Sequence, residues 1–274
     1  MTLYNDWNSY WNKESKFDLS REMEYHFKTR QPFYKLLSRC IKSLDSGSNG
    51  LKILEIGCAS AIDSAILAKE NKDSKFYCLD LYQPALELAR KVAEELGALI
   101  NLIKADASKT NFADGEFDIV FSQGVLEHFQ DVSPLMKEQL RILKPGGILI
   151  IDVPQTYTLY TLHKRGKVKK GLWPYGWETQ YSYQGLKKLG REYGLEPIDV
   201  CGHEHELHLL RRIITCDKFW NFLEKKWGHY FLVNIAVAFK KNKGRKRKCI
   251  KRLQNAGSAA ILLWLRFLTW VNST

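Results

Sequence analysis

Between residues 51 and 151, short runs of β-branched and aromatic residues alternate with stretches in which apolar positions return every three or four residues. The runs read as buried strands and the stretches as amphipathic helices, an alternation that is the sequence form of βαβ units on a parallel sheet. Strands are expected at 52–56, 75–79, 98–104, 117–122 and 148–152. Helices are expected at 63–69, at 83–96 with Pro84 in its first turn, and at 134–143 after Ser133 as N-cap. Lys144-Pro145-Gly146-Gly147 should stop the last of these, because proline cannot continue a helix and glycine permits a sharp turn.

Outside this region the pattern changes. Residues 5–44 look helical and carry Trp7, Tyr10, Trp11 and Phe17. From 154 to about 182 glycines, two prolines and a basic cluster break the periodicity, which reads as an insertion over the end of the sheet. Regular structure is expected again as a helix at 183–193, a strand at 198–201, a helix at 207–227 and a strand at 230–239. The chain therefore divides into an N-terminal helical segment, 1–50, covering the site; a main domain, 51–240; and a basic linker with an apolar tail, 241–274.

With 274 residues, 45% of them apolar, the chain can close a sizeable core, which excludes collagen-like and wholly disordered readings. Its net charge of +12 is unevenly placed: Lys241, Lys243, Arg245, Lys246, Arg247, Lys248, Lys251, Arg252 and Arg266 face no acidic residue in the tail, leaving +3 for residues 1–240. The six cysteines form no C-x-x-C pair, and the first 17 residues show no cationic start followed by an apolar run. Reduced thiols, no secretory signal and a cytoplasmic location are expected. No internal repeat is visible.

Candidate chemistry sits at the strand ends. Ile53-Leu54-Glu55-Ile56-Gly57-Cys58-Ala59-Ser60-Ala61 is a strand ending in an acid, then a turn of small residues, then a helix start with unpaired N–H groups. Asp80 should end the second strand and Asp106 the third, and in an open parallel sheet the carboxyl ends line one crevice. Three carboxylates repel a polyphosphate. They suit a ligand with a cationic centre, an amine and a ribose.

Glu-Ile-Gly-Cys-Ala-Ser-Ala at 55–61, Asp80-Leu81, Ala105-Asp106-Ala107, Phe117-Asp118-Ile119-Val120, Val125-Leu126-Glu127-His128 and Leu143-Lys144-Pro145-Gly146-Gly147 resemble, in order, the motifs of class I S-adenosylmethionine-dependent methyltransferases. Within them the chain is similar to the type 11 group, which includes ubiquinone and menaquinone biosynthesis enzymes. The resemblance implies a Rossmann-like, doubly wound α/β fold: a seven-stranded sheet, mostly parallel, with the last strand antiparallel. It implies S-adenosyl-L-methionine as cofactor, with Glu55, Gly57, Cys58 and Ala59 at the methionine end and the backbone turn. Asp80 would take the ribose hydroxyls, Leu81 would lie against the adenine, Asp106 and Ala107 would read its edge, and Gln123 would sit beside the sulfonium. The family's second and third loop glycines are Ala59 and Ala61 here, residues that tolerate fewer backbone conformations.

Glu127 and His128 follow the fourth strand at the mouth of this site, where His128 is the candidate base for the acceptor; packing beside the cofactor is the plainer role. Some quinone O-methyltransferases of the superfamily bind a divalent metal through an acid-x-x-Glu-His pattern, but the first acid is Gly124 here, so no metal is expected. His203-Glu204-His205-Glu206-Leu207-His208 reads as a solvated loop, with metal or substrate contact as alternatives. In the insertion, Trp173-Pro174-Tyr175-Gly176-Trp177 suits a flat ring, a sugar or an isoprenoid chain, and the basic residues at 163–170 suit phosphate or solvent.

The apolar stretch 259–271, as a helix at ~1.5 Å per residue, reaches about 20 Å, short of a ~30 Å bilayer core. Lying in an anionic membrane surface, with Trp264 and Trp270 at headgroup level, fits it better, while docking on protein and disorder are the alternatives. The expected activity is transfer of a methyl group to a small or lipid-linked acceptor, most simply to oxygen. A nucleic-acid substrate is not expected, since no RNA-binding module accompanies the charge; an RNA methyltransferase and a non-catalytic cofactor-binding protein are the competing classes.

Overall fold

The computed structural model describes residues 17–44, 50–173, 178–204 and 217–242. Two compact units are distinguished, Met1–Lys241 and Asn242–Thr274. In the first, helices α1 (Leu19–Thr29) and α2 (Gln31–Leu44) precede β1 (Lys52–Ile56), α3 (Ile62–Glu70), β2 (Lys75–Asp80), α4 (Gln83–Leu96), β3 (Ile100–Lys104) and β4 (Phe117–Gln123). A short 3-10 turn (Leu126–His128) leads to α5 (Ser133–Ile142), β5 (Leu143–Pro154), α6 (Leu159–Lys169), α7 (Tyr183–Glu192), β6 (Leu195–His203), α8 (Asp217–Phe231) and β7 (Asn234–Lys241).

The strands form a seven-stranded sheet in the order β3-β2-β1-β4-β5-β7-β6. β3 through β5 pair in parallel. β7 inserts between β5 and β6 and runs antiparallel to both. This is the Rossmann-like, doubly wound sheet that the strand–helix alternation implies, with its last strand reversed.

Side-chain alternation along the strands builds one apolar layer on each face. On one face Ile53, Phe121 and Ile150 pack against Phe33, Leu36 and Leu37 of α2 and Ala65 and Leu67 of α3. On the other, Leu54, Val120, Leu149 and Val237 meet Leu135 and Met136 of α5 and Leu186 of α7. The N-terminal helix pair thus belongs to the same core as the sheet.

Several elements differ from the sequence pattern. The expected stop at Lys144-Pro145-Gly146-Gly147 is part of β5: α5 ends at Ile142 and the strand starts at once, with a register shift between Phe117 and Ile119 and Gly146 at φ +82° taking up the bend. β3 begins at Ile100 rather than 98, and β6 extends to Leu195–His203, its Pro197 falling at an irregularity on the sheet edge, where a missing donor is tolerated. Tyr230 and Phe231, read as the start of the last strand, close α8 instead; β7 begins at Asn234. The insertion contains α6, started by the Thr158 side chain accepting from the Thr161 N–H. The expected helix at 207–216, residues 1–16 and the tail at 243–274 lie outside the described residues. Among the described residues no helix is long and apolar enough to cross a membrane.

Close approach of α7 to the sheet depends on Gly190, where an added Cβ would lie 2.3 Å from Phe239 Cε1. Gly190→Ala should therefore cost about 1–3 kcal/mol in urea unfolding. Gly166→Ala in α6, where nothing lies within 4 Å, should be neutral or stabilising by up to about 1 kcal/mol in the same measurement.

Candidate functional site

β1 delivers the chain into a turn that only small residues can make. Gly57 has φ +66°, and a Cβ there would lie 2.5 Å from Val125 Cγ2. Ala59 and Ala61 also adopt left-handed conformations, φ 50° and 52°, at a cost of roughly 1–2 kcal/mol each for an L-residue. Tertiary hydrogen bonds hold them there. The Gly57 and Cys58 N–H groups donate to Leu79 O at 2.8 and 3.0 Å, and Ala59 N–H donates to Asp80 Oδ2 at 3.0 Å. Tyr82 N–H donates to Asp80 Oδ1 at 3.0 Å. Asp80 is thereby fixed on both oxygens while burial raises its pKa above the ordinary value.

A cavity of about 360 Å³ opens at the carboxyl ends of β1, β2 and β4, within the range of small-molecule sites. Gly57, Ala59, Asp80, Leu81, Asp106, Ala107, Gln123 and His128 are among the residues that line it. A turn that a Cβ would fill, an immobilised carboxylate and a largely apolar wall fit a nucleoside carrying a short charged chain.

Two residues expected in the cofactor site point elsewhere. Glu55 alternates away from Ile56, which lines the cavity, and lies buried under α3, accepting a hydrogen bond from Ser64 Oγ at 2.5 Å. Burial pushes its pKa well up. Cys58 packs with Cys78, Leu86 and Ala89 instead of facing the cavity. Asp106 does line it, but two residues beyond the end of β3, in a turn where Ser108 N–H and Oγ donate to its Oδ1 at 2.8 and 2.7 Å.

The sequence reading missed the residues that hold Gln123, which lines the cavity. Asp63, in the first turn of α3 and 4% exposed, accepts from Arg30 Nη1 at 2.8 Å, Tyr34 Oη at 2.5 Å and Gln123 Nε2 at 2.6 Å, and pairs with His26 Nδ1 at 2.9 Å. Arg30 Nη1 also donates to Gln123 Oε1 at 2.8 Å, which fixes the amide that lines the cavity. Burial alone would raise the Asp63 pKa, but Arg30, His26 and Tyr34 outweigh it and hold the group far below the ordinary carboxylate range. A signal existed: His26, Arg30 and Tyr34 are spaced by four, which sets them on one helical face.

On the opposite side, Glu127 is buried, with Oε1 3.6 Å from where a Cβ on Gly124 would be, and burial pushes its pKa up to about 8. Its carbonyl accepts from Thr179 N–H at 2.8 Å, tying the 3-10 turn to the insertion. The basic stretch at 163–170, for which phosphate contact and a solvated loop are equal expectations, is largely helix: Lys164 is 1% exposed and paired with Glu178, which also accepts from Trp173 Nε1 at 3.0 Å. His203, expected in a solvated loop, is buried, its Nε2 2.7 Å from Asp152 Oδ2. Residues 174–177 and 205–208 lie outside the described residues, among which no group of three or more His, Cys, Asp or Glu is placed to hold a metal.

Asp63 is a stronger acid in the folded chain than in the unfolded one. Its stabilisation is present in full above the ordinary carboxylate pKa of about 4 and declines as the pH falls below it. Asp63→Asn should cost about 3 kcal/mol at pH 7, by removing the carboxylate that pairs with half-buried Arg30. The gap to the parent protein should narrow steadily below about pH 4 in denaturant unfolding.

Comparison with known proteins places this geometry. Residues 54–151 match the methyltransferase domain family of the type 11 group. A ubiquinone biosynthesis O-methyltransferase of Ruegeria pomeroyi is 29% identical over 160 residues, 56% of this chain and 63% of the relative. A demethylmenaquinone methyltransferase of Bacillus mycoides is 29% identical over 171 residues, 55% of this chain and 72% of the relative. The chain thus spans somewhat under two thirds of the length of the first of these curated relatives. The fold is shared with the crystal structure of an S-adenosylmethionine-dependent methyltransferase from Aquifex aeolicus, at a TM-score of 0.53 and 15% identity, covering 82% of this chain and 100% of that one. Residues 54–151 thus form a methyltransferase domain of the type 11 group.

Proposed function

We propose that this chain transfers the methyl group of S-adenosylmethionine to a hydroxyl of a small, ring-bearing acceptor, free or lipid-linked. The observation that carries the reading is the cavity formed by the Gly57 turn and the doubly held Asp80, with Gln123 fixed at its inner end. When bound, the cofactor supplies a methyl group made electrophilic by a positively charged sulfur.

The residues around the cavity divide the work. Asp80, held by backbone N–H groups on both oxygens, offers its remaining lone pairs to the ribose hydroxyls. Leu81, 45% exposed, offers an apolar surface to the adenine, and Asp106 with Ala107 reads its edge. Gln123, its amide oriented by Arg30 and Asp63, presents a fixed polar group to the methionine end. His128 faces the acceptor and takes up its hydroxyl proton, a contribution of about 10²–10⁴-fold where a base is well placed. The N-terminal segment 1–50 and the insertion 154–182 enclose the acceptor. Relatives named for ubiquinone and menaquinone biosynthesis support a ring acceptor that carries a lipid chain.

The basic, tryptophan-bearing tail at 241–274 suits the anionic face of a membrane, where such an acceptor is held, with the protein otherwise cytoplasmic. Deleting 241–274 should leave cofactor affinity unchanged and abolish co-sedimentation with anionic vesicles; equal partitioning with and without the tail counts against this location.

Calorimetry with S-adenosylhomocysteine tests the cofactor site directly. Asp80→Ala should weaken binding at least tenfold, by removing acceptors for two hydroxyls, at about 1.4 kcal/mol or more. Incubation with methyl-labelled cofactor and a lipid extract should yield a labelled, extractable product; a protein that binds the cofactor but labels nothing speaks against methyl transfer.

A further inference from the structure

Helix α8 leaves a row of aromatic side chains in the open. Phe219, Phe222, Lys226 and Tyr230 follow one another at i, i+3, i+7 and i+11, which places them on one helical face. The three rings of that row and Trp227 at its border are between 40% and 58% exposed. Trp220 of the same helix is buried, so α8 packs against the sheet by one side and shows the other. Lys226 Nζ lies 5.6 Å from the centroid of the Phe222 ring and 5.7 Å from that of Trp227, and the Trp227 and Tyr230 rings stand 6.0 Å apart. Single apolar residues on a surface are ordinary, but four large rings along about three turns of one helix mark an interaction surface.

A cationic helix is joined to its end. Gln155, just past β5, accepts through its backbone oxygen from Thr161 Oγ1 of α6 at 2.6 Å and donates through Nε2 to His229 O of α8 at 3.2 Å. One residue thus links the start of α6 to the end of α8. The inner side of α6 is fixed by Lys164, paired with Glu178; beyond it Arg165, Lys167, Lys169 and Lys170 are all exposed. Residues 155–173 contain no acid. Leu162, Val168 and Leu172, interleaved with these cations, are exposed as well. They do not sit on a loose loop: Gly171, at φ +67°, ends the helix, and Leu172 N–H donates back to Lys167 O at 2.9 Å.

We propose that α8 and α6 form a surface on which the folded unit rests against an anionic bilayer. The chemistry selects this partner. Aromatic rings with a lysine among them settle at headgroup depth, the rings in the apolar boundary and the ammonium among phosphates. Four exposed cations without an acid favour an anionic surface. A nucleic acid shares that charge and can stack on rings, but it offers no apolar medium to Leu162, Val168 and Leu172. The proposal extends the membrane location proposed for the tail and rests on it for capture. A few rings and cations hold weakly by themselves, whereas a unit already tethered meets the bilayer at high effective concentration. Position ties the surface to the site: Asn234, just past α8, pairs with Pro154 at the carboxyl end of β5, and the cavity opens at the carboxyl ends of the neighbouring strands. With that end turned to the bilayer, a lipid-linked acceptor reaches the cavity without leaving the membrane.

The test uses the full chain with a C-terminal histidine tag on vesicles containing nickel-chelating lipid, which holds the chain at the bilayer whether or not its own tail binds. Trp227 emission, taken as the difference between the parent and Trp227→Phe, should fall about twofold when the acyl chains of phosphatidylglycerol carry bromine, and should stay unchanged on brominated phosphatidylcholine. Emission that ignores bromine on both bilayers means that another segment or a second copy covers the aromatic row, and overturns the proposal. Equal quenching on both removes the role of the cations and overturns it too. On the untagged chain and phosphatidylglycerol vesicles, Phe219→Ser combined with Phe222→Ser should weaken binding about tenfold. Leu99→Ser, at an exposed position beside the edge strand β3 at the far side of the sheet, should leave binding unchanged; an equal loss in both variants counts against the surface. If the untagged parent does not bind these vesicles at all, the tail's role fails, and the quenching on the tethered chain still decides the surface.

Discussion

A carboxylate that is 4% exposed and held by an arginine, a histidine, a tyrosine and an amide is the constraint around which the first compact unit is arranged. Asp63 stands at the start of the helix that follows the Gly57 turn, so whatever fixes Asp63 also fixes the turn. Its partners come from three separate stretches: α1 and its end, α2, and the last residue of β4. Burying one charge among apolar residues is costly unless several donors converge on it. Here convergence forces the N-terminal helices onto the sheet at one position and in one rotation, which apolar packing of Phe33 and Leu37 alone would specify less sharply.

The same constraint explains how left-handed alanines persist at 59 and 61. Alanine there is strained, and a flexible turn would relax out of the strain. The turn is clamped at both ends, by Leu79 and Asp80 on one side and by the Asp63 network on the other. Departure from glycine at these positions therefore costs stability without dissolving the geometry, since the clamp is stronger than the strain.

Strands β1, β2 and β4 were legible because they are buried on both faces and read as unbroken apolar runs closed by acids or small residues. The cavity residues Gly57, Asp80 and Gln123 were legible for the related reason that they stand at the ends of those strands. What escaped was set by tertiary context. Glu55 looked like a cavity carboxylate, yet alternation sends it under α3, and only the neighbouring Ile56 faces the opening. Pro145 and two glycines looked like a loop, yet β5 absorbs them through a register shift. Tyr230 and Phe231 have strand-like side chains, but α8 carries them as helix. Lys164 lay in a run of cations that pattern alone assigns to phosphate or solvent, and its burial depends on Glu178, a partner that periodicity cannot reveal.

Arg30 draws these threads together, because a guanidinium can serve two sites where an ammonium serves one. Its planar fork presents donors in different directions at fixed spacing, and it does not lose its proton when buried. One nitrogen completes the Asp63–Gln123 wall; another, Nε, lies 3.8 Å from the Glu204 carboxylate. A lysine at this position could neutralise Asp63 and would leave the second direction empty. A chain whose first helices are displaced therefore loses the fixed orientation of Gln123, while the Gly57 turn and Asp80, held by β2, keep their geometry.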